Sequence, residues 1–187
     1  MAPSRRASVL RGIVRIARAQ PDGLDEFTGT RQGFLASLAP LLAFPLVSTL
    51  LALLHGDGIA AVADLLVTLP VLLAPPVLSW EFARLWHRQD RWLRFATAFN
   101  WCQWLLPLLA SVLLVLAGAL LNAGLSQRTA TGLLVACLAA YGLWLHWFVA
   151  RHGLALSRFR AVLLVAGVNI GTAFLVLVPS LLAAGHL

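Results

Sequence analysis

Apolar and polar positions along this chain fall in long blocks rather than alternating residue by residue. Apolar runs cover about 34–54 (FLASLAPLLAFPLVSTLLALL), 60–80 (AAVADLLVTLPVLLAPPVLSW), 96–121, 130–150 and 161–183, with short connections between them. A helix rising 1.5 Å per residue needs about 20 apolar residues to cross roughly 30 Å of hydrocarbon, and each run meets that length. Two-residue alternation, the mark of half-buried strands, is absent. The pattern predicts an all-α polytopic membrane bundle of five transmembrane helices over 34–187. Ahead of it, SRRASVLRGIVRIARA (4–19) has a helical period. Arg5, Arg11, Arg15 and Arg18 fall on one arc, with Val9, Leu10, Ile13, Val14, Ile16 and Ala17 on the other. That is the pattern of an amphipathic helix lying on a membrane surface. Gln20-Pro21-Asp22-Gly23 ends it, and a short acidic linker completes a basic cytoplasmic segment, 1–33.

Composition strengthens this picture. Of 187 residues 60% are hydrophobic and 11% charged, where soluble domains carry about 25% charged residues. The net charge of +7 comes from fourteen Arg, no Lys and seven acids. Arg-only usage fits phosphate contacts, and fits a GC-rich coding bias with fewer assumptions. Counted by side, loops and termini carry Arg at thirteen to one, so the positive-inside rule places the N-terminus in the cytoplasm and the C-terminus outside. The expected site is a bacterial inner membrane, with the periplasm outside. Because acid-free, Arg-rich starts also occur in mitochondrial presequences, the mitochondrial inner membrane is the alternative. The seven Trp, Trp144 among them, gather on the same cytoplasmic half, with Trp80, Trp86, Trp92 and Trp147 as interfacial anchors and Trp101 and Trp104 deeper between helices.

Polar residues inside the runs are the candidates for chemistry. Asn100 and Gln103 in FNWCQWLLP fall roughly 8–12 Å below the inner surface, with Tyr141, His146 and Asn169 at similar depth by the same rise per residue. The five form one expected polar layer, either glue between helices, at about 0.6 kcal/mol per hydrogen bond, or a pocket open to the cytoplasm. Pro70, Pro75, Pro76 and Pro107 each remove a backbone hydrogen bond and are expected to kink or break their helices, as in transporters with broken spans. Asp64, the one acid inside a run, lies near the outer end, where it marks an interface or caps a helix. Cys102 and Cys137, inside different runs, match no disulfide framework or zinc spacing and are expected to be buried. Haem or pigment ligation would rest on His146 alone. No hydrolase triad, HExxH, P-loop or carboxylate pair is present, so neither enzymatic activity, nor a cofactor, nor a metal is expected.

Two features concern partners. Gly167 and Gly171 form a GxxxG spacing that lets a second helix approach closely, in the same chain or in another. Arg84, Arg88, Arg91 and Arg94, with the N-terminal arginines, suit the headgroups of anionic phospholipids at about 1 kcal/mol each. Since the charge follows topology, nucleic acid is not an expected partner.

Three blocks, TGTRQGFLASLAPLLAFPL (28–46), RWLRFATAFNWCQWLL (91–106) and LHWFVARHGLALSRFRAVLLVAGVNI (145–170), resemble a group of small alphaproteobacterial integral membrane proteins that is distantly similar to the Yip family. The most specific matches are Phe99-Asn100-Trp101 and Trp147-Phe148-Val149-Ala150-Arg151; Asn169 stands where the group often has an acid. The resemblance implies five spans, a cytoplasmic N-terminus and interaction of the Yip kind, with Ypt/Rab GTPases in eukaryotes, and no catalytic residues. The expectation is therefore a non-enzymatic scaffold or accessory subunit that organises a membrane-protein partner, a second copy of itself or lipids. The alternative is a small transporter or channel subunit using the Pro-rich second run and the polar layer.

Overall fold

The computed structural model describes residues 8–56 and 58–184, with side chains to Leu177. Every regular element among these residues is helical. A nine-residue helix α1 (Val9–Ala17) leads through a 3-10 turn (Pro21–Glu26) into α2 (Arg31–Leu54), α3 (Gly58–Leu85), α4 (Gln89–Cys102), α5 (Leu105–Asn122), α6 (Gln127–Gly153) and α7 (Arg158–Ala184). With α4 and α5 taken as one interrupted segment, five helices are long and apolar enough to cross a membrane.

Local chemistry sets the ends of these helices. Thr30 Oγ1 accepts from Gly33 N at 3.1 Å to start α2, and Ser126 Oγ accepts from Thr129 N at 3.2 Å to start α6; both satisfy amides with no partner inside the helix. Beyond α5, Gly124 turns to φ +94°, with Leu125 N donating to Leu120 O at 3.0 Å, the bond that closes a glycine-terminated helix. At the Arg-rich end the helices outrun the apolar runs, α3 to Leu85, α4 from Gln89 and α6 to Gly153. Hydropathy marks only the oily part of a helix, whereas packing extends it.

The prolines act unequally. Helix α3 runs unbroken through Pro70, Pro75 and Pro76. The third span is interrupted at Gln103 and Trp104, where Trp104 N and Leu106 N reach back only three residues, to Trp101 O and Gln103 O. Pro107 explains the place: lacking an N–H, it cannot bond the Gln103 carbonyl, and its ring crowds that group. It sits in the first turn of α5, where a missing N–H costs least.

The core lies at the Arg-rich end. Phe95, Phe99 and Cys102 of α4 pack with Ala83 of α3, with Leu145, Phe148 and Val149 of α6, and with Leu164, Val165 and Val168 of α7. Helix α4 is central, touching α1, α2, α3 and α6, whereas no residue of α5 is buried and α5 packs chiefly on α6. In α7, a Cβ on Gly167 would lie 2.5 Å from Phe82 Cζ and one on Gly171 2.7 Å from Leu78 Cδ1. The small-residue face is thus filled by α3 of the same chain. Arg160 of α7 lies over the ring of Trp86, just past the end of α3, 5.9 Å from its centroid.

Helix α1 docks on this core. Ile16 is fully enclosed, which contributes about 1.5–3 kcal/mol, and it clusters with Leu24 and Phe27 of the linker and Phe95 of α4. Leu10 and Val14 stay exposed on another arc of α1. Glu26, buried, accepts from Ser8 N at 3.2 Å and lies 3.6 Å from Arg11 and 3.4 Å from Arg15, which also reaches Asp22 at 3.1 Å. The close approach of helix and turn needs two glycines: a Cβ on Gly23 would stand 2.9 Å from Gly12 O, and one on Gly12 2.6 Å from the Phe27 ring. Because a backbone carbonyl cannot swing aside, Gly23→Ala is expected to undock α1 at a cost of about 1–3 kcal/mol. Trypsin should then cleave at Arg15 and Arg18 well before it attacks the bundle; unchanged cleavage would refute this account of the docking.

Candidate functional site

The expected polar layer resolves into separate pairings. Asn100, 2% exposed, ends a run of six successive buried residues on α4, Phe95 to Asn100. Its Nδ2 donates to Ser37 Oγ of α2 at 3.0 Å, and Ser37 Oγ donates to Phe34 O at 2.6 Å. A relay of two bonds therefore ties α4 to α2. Gln103, at the interruption, faces His146 of α6, with Oε1 and Nε2 at 3.4 Å, while the His146 ring packs on Phe99 with centroids 4.7 Å apart. Asn169 turns back on its own helix, donating to Val165 O at 2.8 Å. Tyr141 lies one turn from Trp144, ring centroids 5.5 Å apart. These pairings do not join the five residues into one network.

Ser37 was not among the sequence candidates. A serine in an apolar run gives no signal of its own, because its hydroxyl can always bond the preceding turn, as it does here; only the three-dimensional pairing with Asn100 marks it. Ser79 of α3 is similar, donating to Pro76 O at 3.0 Å and accepting from Trp92 Nε1 at 3.2 Å. Trp104 packs on Phe44, with centroids 5.4 Å apart, and its Nε1 is buried without a hydrogen-bond partner among the described residues. Cys102 is buried on α4; Cys137 differs from expectation and is exposed on α6, because the α5–α6 pair lies at the edge of the bundle. Asp64 is exposed on α3.

A cavity of about 10 Å³ lies among α3, α4, α6 and α7, lined by Pro75, Ser79, Phe99, His146, Asn169 and neighbouring apolar groups. That is the threshold for one water molecule. Among the described residues no three His, Cys, Asp or Glu side chains converge as a metal-binding set.

Five of the twelve described arginines stand beside acids. Besides Arg11 and Arg15, Arg84 pairs with Glu81 at 2.6 Å, Arg91 with Asp90 at 3.8 Å and Arg94 with Asp25 at 3.3 Å. Arg18 follows α1 as its C-cap and Arg88 precedes α4 as its N-cap. Arg5 lies outside the described residues. The linker acids Asp22, Asp25 and Glu26 thus emerge as organisers of this end, and three acids within five residues of an Arg-rich terminus were the signal for them.

No protein-family model matches this sequence, and no curated protein or solved structure is significantly similar to it.

The Asn100–Ser37 bond makes a measurable distinction. A double-mutant cycle of Asn100→Ala with Ser37→Ala should give a coupling of about 0.6 kcal/mol, at most about 2. The same cycle of Asn100→Ala with His146→Ala should give none beyond error, and equal couplings in the two cycles would restore a continuous layer.

Proposed function

We propose that this chain is a non-enzymatic integral protein of the bacterial inner membrane, N-terminus cytoplasmic and C-terminus periplasmic, acting as a scaffold or accessory subunit. The observation that carries the reading is the contrast between the two parts of the third span. The second half of α4 is enclosed, with Thr97 and Asn100 hydrogen-bonded, whereas the 18 residues of α5 are apolar save Ser111 and Asn122, none is buried, and α6 is its main neighbour. A helix covered along one edge offers its remaining surface to lipid or to another membrane helix. The Arg asymmetry and the resemblance to Yip-type proteins support the orientation and the scaffolding role. Under this reading α1 remains at the interface: docked by Ile16, it points Leu10 and Val14 towards the headgroup region beside Arg11 and Arg18.

The test places a photo-crosslinking residue at Val115, 75% exposed on α5, in native membranes. A protein adduct of one discrete mass, retained through gentle detergent extraction, is the expected result. Lipid adducts alone, with recovery as a partner-free monomer, would sink the scaffold reading.

One observation favours a second reading, a small transporter or channel subunit: the cavity brings Pro75 of α3 together with His146 and Asn169. Solute flux in proteoliposomes that disappears on Asn169→Leu, while the protein stays folded, would favour transport; absence of flux from the wild-type protein would end it.

A further inference from the structure

At the Arg-rich end a cleft of about 430 Å³ opens between the 3-10 turn, the start of α4 and the last turn of α6. Its size falls within the roughly 300–1,000 Å³ typical of small-molecule sites. Pro21 and Leu24 form an apolar wall, Gly29 and Gly153 leave space, and Arg91, Arg94 and His152 face Asp25 and Asp90. Charges of both signs therefore line one opening. Arg94 Nη1 lies 3.3 Å from Asp25 Oδ1, across 69 residues of sequence, and Arg91 Nε lies 3.8 Å from Asp90 Oδ2. All four side chains are at least half exposed, so each pair is weak and either partner is free to exchange for a ligand group. The His152 ring is steadied against Phe148, with centroids 4.6 Å apart, and offers a further ring nitrogen.

Two guanidinium groups provide the forked donors that suit phosphate oxygens. Two carboxylates at the same opening oppose a purely anionic ligand and suit an ammonium, whose three N–H groups need acceptors. Pro21 and Leu24 can cover a short carbon linker. We propose that this cleft binds a phosphoethanolamine group, a phosphate and a primary ammonium a few ångströms apart, carried either by a phospholipid headgroup or by a free small molecule. Arg91 and Arg94 take the phosphate; Asp25 and Asp90 take the ammonium. The site does not depend on whether α5 recruits a partner.

Affinities of the full chain in detergent micelles for dihexanoyl phosphatidylethanolamine, phosphatidylglycerol and phosphatidylcholine, and for free phosphoethanolamine, test the assignment. Phosphatidylethanolamine should bind about fivefold more tightly than the glycerol lipid, which lacks the ammonium, and the choline lipid, which lacks N–H donors. Arg91→Gln with Arg94→Gln should weaken it about tenfold. Asp25→Asn with Asp90→Asn, at exposed positions that leave the core intact, should abolish the preference over phosphatidylglycerol while phosphate binding persists. Free phosphoethanolamine binding as tightly as the lipid identifies a soluble source, and binding of the lipid alone identifies a headgroup; both uphold the site. Phosphatidylglycerol binding as well as phosphatidylethanolamine in the wild type, a preference that survives the Asp→Asn pair, or no binding of any probe overturns it.

Discussion

The burial of the second half of α4 is the constraint on which the rest of the structure depends. Six successive residues, Phe95 to Asn100, and then Cys102 are removed from the surface. A helix so enclosed can carry polar groups only if its neighbours satisfy them, since an unpaired amide in an apolar environment costs a few kcal/mol. Thr97 meets the demand with its own turn, donating to Leu93 O at 2.7 Å, and Asn100 meets it through Ser37. Ala96 and Ala98, both buried, add no bulk to the surface that α1, α2, α3 and α6 pack against. The same enclosure explains why α1 and the linker belong to the bundle core, because Ile16, Leu24 and Phe27 cover the end of α4 that the long helices leave open.

Enclosure cannot continue along the whole third span. At Gln103 the backbone loses its regular bond to Pro107, and beyond that point the chain leaves the centre as α5. One proline thus separates a packed half from an edge half, and it places Gln103 beside His146 where the helix changes direction. By contrast, Pro70, Pro75 and Pro76 stay inside an unbroken α3, where Ser79 Oγ donates to Pro76 O and accepts from Trp92 Nε1 of α4. A proline's effect is decided by what surrounds it, so three in one helix disturb less than a single one at the border of two packing environments.

This is also why legibility in the sequence was uneven. Five helices followed from run lengths, because crossing length and helical rise are properties of the chain itself. The Asn100 and Gln103 positions stood out because amides are rare in apolar runs, and Pro107 marked a break to within one turn. Pairing was not legible: Asn100 bonds Ser37, 63 residues away, rather than the amides and imidazole at its own depth. Depth along a helix is read from one dimension, whereas the direction a side chain faces depends on which helices are neighbours. The acids of the linker were visible as charges but not as partners of Arg11, Arg15 and Arg94, since ion pairing across elements leaves no periodic trace.

The distribution of charge follows from the same geometry. At the Arg-rich end the chain could have placed its cations in open solvent, yet it brings three linker acids against α1 and α4. Around Glu26, which is buried, two arginines and an amide converge, so losing both arginines leaves a desolvated carboxylate without a counter-charge and loosens α1. Around Asp25 and Asp90 the pairs are exposed and individually weak, so they hold no element in place and can exchange partners at little cost. The linker therefore provides a fixed clasp at buried Glu26 and, at exposed Asp25 with Asp90 of α4, an adaptable, mixed-charge cleft.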